Sequence, residues 1–342
     1  MTATLSTAPA GLDGAGESVP TGTLTLAKAL NAGLHRAMAA DPKVLMMGED
    51  VGKLGGVFRI TDGLQAQFGS ERVFDTPLAE GGIIGTAVGL AMRGYRPVCE
   101  IQFDGFVYPA FDQIVSQVAK MHSRSAGLVN VPLTIRIPFG GGIGAVEHHS
   151  ESPEAYFAHT AGLKVVACSN PSDGYWMLQQ AIASDDPVVF LEPKRRYWTK
   201  GSVASTAPEL HQARILRPGR DLTLVAYGPM VDTALQCAEV AAGEGRDLEV
   251  IDLRSISPLD TATLVESVQR TGRMVVVHEA SSSFGVGAEV AARVQERAFY
   301  SLAAPVMRVT GFDTPYPTSR LEEEWLPNVD RLLDAVDRSM EY

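Results

Sequence analysis

The chain has 342 residues, of which 45% are hydrophobic and 20% are charged, and its formal net charge at pH 7 is −11. The composition is typical of a globular protein, and the length predicts about two domains. The acidic balance, with no basic cluster longer than PKRRYWTK, argues against nucleic-acid binding and against adhesion to an anionic membrane. The apolar runs are too short to span a bilayer, so no membrane role is expected.

The cysteines and the N-terminal segment bear on the compartment. Cys99, Cys168 and Cys237 are far apart and form no CxxC pair, which favours a reducing compartment and argues against zinc. Residues 1–22 are rich in Ala, Thr, Gly and Ser and lack the features of a signal peptide or of a mitochondrial transit sequence. We expect a disordered tail over residues 1–22 and a bacterial cytoplasmic protein.

Predicted helices and strands alternate through the first half of the chain. The predicted helices cover residues 24–40, 79–93, 108–121 and 172–184, and the predicted strands cover 44–48, 72–77, 97–103, 132–139, 163–169 and 187–193. The strands are nearly continuous apolar runs, which is typical of parallel strands buried on both faces. This pattern predicts a first α/β domain over residues 23–200.

A polar segment separates this half from a second α/β pattern. The segment ends in Pro and Gly, and we predict a linker over residues 201–220. The second domain, predicted over 221–342, has strands at 221–228, 247–253, 273–280 and 305–310 and helices at 231–243, 260–270 and 286–299. The acidic run LEEEW (321–325) is predicted to be a solvated helix face. The predicted fold class is α/β, in two domains with mostly parallel sheets.

A glycine-rich loop, FGGGIGA (139–145), follows a predicted strand and is similar to a dinucleotide-binding loop. A Rossmann site also needs an acidic residue at the end of the next strand, and LKVVACSN ends without one. The favoured interpretation is a loop that lets backbone approach a ligand. A nicotinamide-dependent oxidoreductase of two domains is the alternative function.

The next segment, VEHHSESPEAYFAH, concentrates His148, His149 and His159. No HxxxH or HxH spacing is present, so a metal site is not favoured. A histidine beyond the carboxyl end of a parallel strand is well placed for acid–base chemistry. The alternative for each is a structural histidine held by hydrogen bonds.

Two other side chains each have a structural and a functional interpretation. Glu80 begins a predicted helix of small and apolar residues, where it either complements the helix dipole or meets a partner for its carboxylate. Phe106 follows a strand in EIQFDGF, with Gln102 and Asp104, and is either a core residue or a stacking face for a flat heteroaromatic ring.

The order of these motifs carries a family resemblance. GED, DTPLAEGGIIGTAVGLAMRGYRPVCEIQF, PAFDQIVSQVAK, HHSESPEAYFAHTAGLKVV, DPVVFLEPK, DLRSISPLD and VVVHEA follow one another along the chain. Together they resemble the β subunit of the decarboxylating component of 2-oxo acid dehydrogenase complexes, over residues 24–340. These are thiamine-diphosphate enzymes of the transketolase superfamily. The resemblance implies a pyrimidine-binding domain, a transketolase C-terminal domain, and a heterotetramer of two alpha and two beta chains.

The resemblance also implies roles for single residues. Glu80 matches the glutamate that hydrogen-bonds the pyrimidine ring of thiamine diphosphate, and Glu49 matches a second acid near the cofactor. Leu78 and Gln102 match residues that line the site. Phe106 matches a position that is tyrosine in mammalian branched-chain members, so a stacking role is retained and the hydroxyl is absent.

Further roles concern acyl transfer and metal ions. His149 matches the histidine implicated in passing the acyl group to lipoamide. The superfamily signature for magnesium and diphosphate, GDG followed by Asn-Asn, is absent from this chain, which implies that Mg²⁺ is held mainly by the alpha chain and that the site lies between chains. A structural potassium site is implied at Leu133, Thr134, Ala181, Ser184 and Asp186, of which the last three side chains differ from those of the relatives.

The predicted function follows from the resemblance. HSESPEAYFAHTAGLKVV and FLEPKRRYW are closer to the branched-chain members, which predicts a 3-methyl-2-oxobutanoate dehydrogenase of branched-chain amino acid degradation. It would oxidatively decarboxylate a small 2-oxo acid and acylate the lipoyl group of an acyltransferase component. A pyruvate dehydrogenase β subunit is the alternative with the same chemistry. The presence of Glu80 and His149 argues against a scaffold that has lost catalysis.

Overall fold

A computed structural model describes residues 19–342, so residues 1–18 of the predicted tail lie outside the described residues. The strands, numbered in chain order, are β1 Thr23–Thr25, β2 Val44–Gly48, β3 Val73–Asp75, β4 Arg96–Glu100, β5 Thr134–Phe139, β6 Lys164–Ala167, β7 Val188–Pro193, β8 Lys200–Ser202, β9 Arg214–Arg217, β10 Leu222–Ala226, β11 Leu248–Asp252, β12 Ser255–Ser257, β13 Met274–Ser281 and β14 Met307–Gly311. The α-helices are α1 Leu26–Ala40, α2 Leu64–Phe68, α3 Glu80–Met92, α4 Met121–Arg124, α5 Glu154–Ala158, α6 Pro171–Ala183, α7 Met230–Gly243, α8 Thr261–Thr271, α9 Val286–Ala298, α10 Glu322–Trp325 and α11 Val329–Met340.

The first sheet has seven strands in the order β12-β6-β7-β5-β4-β2-β3, and every neighbouring pair except β12 with β6 is parallel. Strands β2, β5 and β7 are buried along their whole length, as their apolar runs predict. Met46 of β2 belongs to a core with α1 and α6, whereas Met47 belongs to a core with α3. Because successive side chains point to opposite faces, helices cover both faces of the sheet.

The second sheet has five strands in the order β14-β13-β10-β11-β9, with β9 as an antiparallel edge strand. Strand β9 lies inside the segment predicted as a linker, and β12 crosses over to pair with β6 of the first sheet. One core cluster contains Phe139 and Ala167 of the first half with Tyr227 and Ile251 of the second. The prediction of an α/β fold, in two domains with mostly parallel sheets, is confirmed.

The prediction of one amphipathic α-helix over residues 108–121 is wrong. Asp104–Ala110 forms a 3-10 helix that contains Pro109, and Gln113–Val118 forms a π-helix. Proline lacks the N–H that would continue an α-helical hydrogen-bond ladder through this turn. A π-turn inserts one extra residue into the hydrogen-bond ladder of a helix and keeps the apolar side chains facing inward. Such turns are rare overall, but those that occur are frequently at functional sites.

Two further features of the described residues are their lack of a membrane-spanning helix and the state of the cysteines. No helix within residues 19–342 is long and apolar enough to cross a membrane. Cys99, Cys168 and Cys237 are all buried free thiols. None of the three therefore takes part in a disulfide.

Candidate active site

The predicted site residues come together at the carboxyl edge of the first sheet. Glu49 follows β2, Leu78 follows β3, Gln102 follows β4, and His149 lies in the loop after β5. Parallel strands bring their carboxyl ends to one edge, which is where open α/β sheets bind ligands. The sheet order thus assembles one candidate site from chain segments that are far apart in sequence.

Glu49 is a buried carboxylate with an unused acceptor. Its side chain is 5% exposed, and within the described residues Oε1 has no hydrogen-bond partner. Burial raises the pKa of Glu49, and the negative charges of Glu80 and Asp50 raise it further. The charge of Glu80 therefore acts on the Glu49 carboxylate. An unpartnered buried acceptor is costly, so this arrangement suits a ligand that brings a hydrogen-bond donor.

The remaining predicted cofactor contacts frame these two acids. Glu80 is the first residue of α3 and is half-buried, and Leu78 just before it is 85% exposed. The Gln102 amide donates to Oδ2 of Asp50 at 3.3 Å, which ties the end of β4 to the turn after β2. Asp50 has φ 58°, a left-handed conformation that is uncommon outside glycine and is found at functional turns.

His149 is held in an aromatic cluster. Its ring stacks on Phe103 with centroids 4.1 Å apart, and Phe106 meets it edge-on at 5.2 Å. His149 Nδ1 lies 2.8 Å from the carbonyl oxygen of His148. A carbonyl oxygen only accepts, so Nδ1 carries the hydrogen and Nε2 is left as the basic nitrogen. The other two histidines of the segment, His148 and His159, are exposed.

The glycine loop after β5 is bound by carboxylates of the second half. Gly141 N–H donates to Glu279 at 2.9 Å, and the N–H groups of Gly142 and Gly144 donate to the two oxygens of Glu322 at 2.8 and 3.0 Å. A phosphate-binding loop needs such N–H groups free for its ligand. This loop does not have them free, which removes the structural basis for a dinucleotide site.

The predicted solvated face of LEEEW is therefore wrong for its first glutamate. Glu322 is 7% exposed and is buried against the glycine loop. The acidic run alone did not indicate that Glu322 binds the glycine loop, because a sequence shows no difference between a glutamate that faces water and one that faces backbone N–H groups.

Sequence reasoning also missed a buried ion pair beneath the histidine segment. Asp104, placed at a strand end without a role, pairs with Lys194, which follows β7. Asp104 is 1% exposed and Lys194 is 2% exposed. The two are 90 positions apart, and only the neighbouring order of β4, β5 and β7 brings them together.

The implied potassium site meets competing cations. Arg96 Nη1 donates to the carbonyl oxygens of residues 182–184 at 3.0–3.3 Å, and its Nη2 lies 2.6 Å from Asp185. Asp186 pairs with Lys164 at 2.7 Å. The end of α6 thus already faces positive charge, and it fits a bound potassium ion poorly. The residues of that predicted site, Leu133, Thr134, Ala181, Ser184 and Asp186, contain one carboxylate.

No cluster of three or more His, Cys, Asp or Glu side chains within residues 19–342 is arranged to hold a metal ion.

Known protein families and relatives match most of this chain. Residues 22–199 match the family model "Transketolase, pyrimidine binding domain", and residues 211–332 match "Transketolase, C-terminal domain". The "Pyruvate dehydrogenase E1 component subunit beta" of Leifsonia xyli subsp. xyli (strain CTCB07) is 63% identical over 322 residues, which cover 94% of this chain and 96% of that protein. The "3-methyl-2-oxobutanoate dehydrogenase subunit beta" of Mycobacterium tuberculosis (strain ATCC 25618 / H37Rv) is 58% identical over 321 residues, covering 93% and 92%.

A solved structure described as "Split gene transketolase, inactive beta4 tetramer" superposes with a TM-score of 0.79 at 24% identity, covering 94% of this chain and 99% of that one. This likeness shows the fold. The two family models and the two relatives together show the family. The chain belongs to the β subunits of the decarboxylating component of 2-oxo acid dehydrogenases, which are built from a transketolase pyrimidine-binding domain and a transketolase C-terminal domain.

Proposed function

We propose that this chain forms the β half of a thiamine-diphosphate site that it shares with an alpha chain, in a tetramer of two alpha and two beta chains. The observation that carries the proposal is Oε1 of Glu49, which is buried and has no hydrogen-bond partner within residues 19–342, together with the charge of Glu80, which raises the pKa of Glu49. A pyrimidine ring brings nitrogen donors and a flat face. The two carboxylates fit the donors, and Phe106 fits the face.

In this proposal the bound cofactor supplies the carbon nucleophile and the electron sink for loss of CO₂. Glu80 holds a proton on a ring nitrogen, because an ionised carboxylate stabilises a protonated partner at hydrogen-bond distance. Glu49 accepts a second donor and loses its unsatisfied state. Gln102, fixed by Asp50, lines the adjacent wall. The protein's contribution is orientation and exclusion of water.

His149 acts in the second half-reaction, the transfer of the acyl group to a lipoyl group on an acyltransferase component. Its Nε2 is the available basic nitrogen, and its ring is fixed by Phe103 and Phe106. A protonated Nε2 donates its proton to the sulfur that leaves as the lipoyl disulfide opens, which is general-acid catalysis.

The alpha chain supplies what this chain lacks. The sequence contains neither GDG nor an Asn-Asn pair, which supports placing Mg²⁺ and the diphosphate on the partner. In this arrangement the N-terminus of α3, where Glu80 lies, borders a cofactor site that is formed between the alpha and beta chains. The free cysteines and the bacterial relatives support a place in the bacterial cytoplasm.

For the substrate we propose the branched-chain 2-oxo acids. Leu78, 85% exposed, precedes Glu80 by two residues, and Phe106 follows β4. In this proposal both add apolar surface to the substrate pocket, which suits isopropyl and isobutyl side chains. Pyruvate is the second candidate, favoured by the 63% identity to a pyruvate-type relative against 58% to a branched-chain one. One methylene is worth only about 1–3 kcal/mol of discrimination, so the two specificities are close in energy.

The test is turnover by the chain reconstituted with its alpha chain, on the oxo acids of valine, leucine and isoleucine and on pyruvate. We expect a higher kcat/KM for the branched-chain substrates. A preference of about tenfold or more for pyruvate, which corresponds to about 1.4 kcal/mol, would move the protein to the pyruvate type. Absence of decarboxylation of all four in an assembled tetramer would reject the proposed function itself.

A further inference from the structure

The buried ion pair of Asp104 and Lys194 lies directly under the segment that carries His149. Asp104 Oδ1 binds Lys194 Nζ, and Asp104 Oδ2 accepts the backbone N–H of Glu151 at 2.8 Å. Glu151 is two residues beyond His149. Asp104 therefore connects the lysine to the backbone of the histidine segment.

A second connection runs through an aromatic ring. Lys194 Nζ lies 5.6 Å from the centroid of the Phe103 ring, within the range of a cation–π interaction. The same ring stacks on His149 with centroids 4.1 Å apart. The position of Lys194 thus bears on the ring of His149 as well as on the backbone that follows it.

The close seating of the two turns supports this arrangement. A Cβ placed on Gly105 would overlap the backbone of His148, so the turn that begins at Asp104 touches the histidine segment where only glycine fits. A displacement of Asp104 or Phe103 would therefore move the histidine backbone.

The energetics argue that stability is not what this pair provides. Burial raises the pKa of Asp104 and lowers that of Lys194, while the charge of each partner opposes this change. Removing two charges from water is costly, and apolar replacements of buried ion pairs are often neutral or stabilising. A buried pair at this place is better explained by the geometry that it fixes.

We propose that Asp104 and Lys194 are positioning residues that hold His149 for acyl transfer to the lipoyl group. Lys194 fixes Asp104 and the Phe103 ring, Asp104 fixes the backbone at Glu151, and Phe103 fixes the imidazole. The proposal rests on the proposed role of His149. It predicts that loss of the pair impairs acyl transfer more than decarboxylation.

The experiment compares Lys194→Met with the double variant Asp104→Asn/Lys194→Met, each reconstituted with the alpha chain. Two rates are measured, decarboxylation with an artificial electron acceptor and acylation of a lipoyl domain. In both variants we expect the ratio of acylation to decarboxylation to fall on the order of 10- to 100-fold, since small misplacements of a catalytic group have effects of this size. The double variant leaves no unpaired buried charge, so we expect its melting temperature to stay close to that of the parent.

The matched control is the pair Asp173 and Arg254, which is also fully buried, at 2.9 Å, and which joins α6 to the segment between β11 and β12. The double variant Asp173→Asn/Arg254→Met should keep the ratio of the two rates. If Asp104→Asn/Lys194→Met restores both rates along with stability, the pair is merely structural and the proposal is overturned. If His149→Ala itself shows no selective loss of acylation, the proposed function of His149 fails instead.

Discussion

His149 lies nearly parallel to Phe103, with ring centroids 4.1 Å and planes 27° apart. Its Nδ1 is directed at the carbonyl oxygen of His148 at 2.8 Å. These two contacts fix the plane of the imidazole and its tautomer together. They leave Nε2 as the one nitrogen of this ring that is suited to proton transfer.

Replacement of His149 by alanine removes that nitrogen. We expect His149→Ala to reduce acylation of a lipoyl domain on the order of 100- to 10,000-fold, as for loss of a general acid, with a smaller loss of decarboxylation measured with an artificial acceptor. His159→Ala is the matched control, because His159 is an exposed histidine after α5, and it should keep both rates. Equal losses of both rates in His149→Ala would place the residue in the first step or in the structure.

Glu80→Gln keeps the shape of the side chain and removes its charge. If Glu80 holds a proton on a ring nitrogen, decarboxylation should fall on the order of 100-fold or more, as for loss of one preorganised electrostatic contact. The rate is measured with an artificial acceptor in the assembled tetramer. Asp330→Asn is the control, since Asp330 is also an acid in the first turn of a helix. A rate close to that of the parent would reduce Glu80 to a helix-dipole role.

Glu49→Gln should raise the melting temperature of the chain at a pH where Glu49 is ionised. The folded-state pKa of Glu49 is raised, so the folded chain binds this proton more tightly than the unfolded chain. The associated stability is present below the unfolded pKa and is lost as pH rises through the folded pKa. Without cofactor, Glu49→Gln should therefore have a higher melting temperature than the parent at pH 8, with the difference vanishing near pH 4. A lower melting temperature at pH 8 would contradict the raised pKa.

The split site can be tested by binding alone. Since no magnesium–diphosphate signature is present, the isolated chain should bind thiamine diphosphate weakly or not at all, while the alpha–beta complex binds it with Mg²⁺. Calorimetry on both samples measures this directly. Tight magnesium-dependent binding by the isolated chain would show that the alpha chain is not needed to hold the diphosphate.

Local sequence patterns were enough to predict the buried strands of the sheets and the position of Glu80 at the start of a helix. The apolar runs of β2, β5 and β7 identified buried parallel strands, and the small-residue helix α3 begins at the predicted acid. Because open α/β sheets bind ligands at the carboxyl ends of their strands, the position of His149 after β5 made it a candidate site residue. These features depend on neighbours in sequence or on one general rule of sheet geometry.

Features that depend on distant partners were beyond the sequence. Asp104 and Lys194 form an ion pair because β4 and β7 both flank β5. The order of the strands in the sheet cannot be predicted from the residues of either strand alone. Glu322 differs from the exposed Glu323 beside it only in what it faces. The π-helix at Gln113–Val118 packs against α3, and its sequence has no periodicity that differs visibly from that of an α-helix.

Arg96 provides the last prediction, on the implied potassium ion. Its guanidinium binds three carbonyl oxygens at the end of α6, so we expect the same melting temperature in potassium chloride and in sodium chloride at equal ionic strength. Arg96→Gln should lower the free energy of unfolding by about 1–3 kcal/mol, because charged hydrogen bonds at a helix C-terminus are lost. Arg93→Gln, an exposed arginine after α3, is the control and should change it little. A clear stabilisation of the parent by potassium over sodium would show that the ion binds despite the arginine.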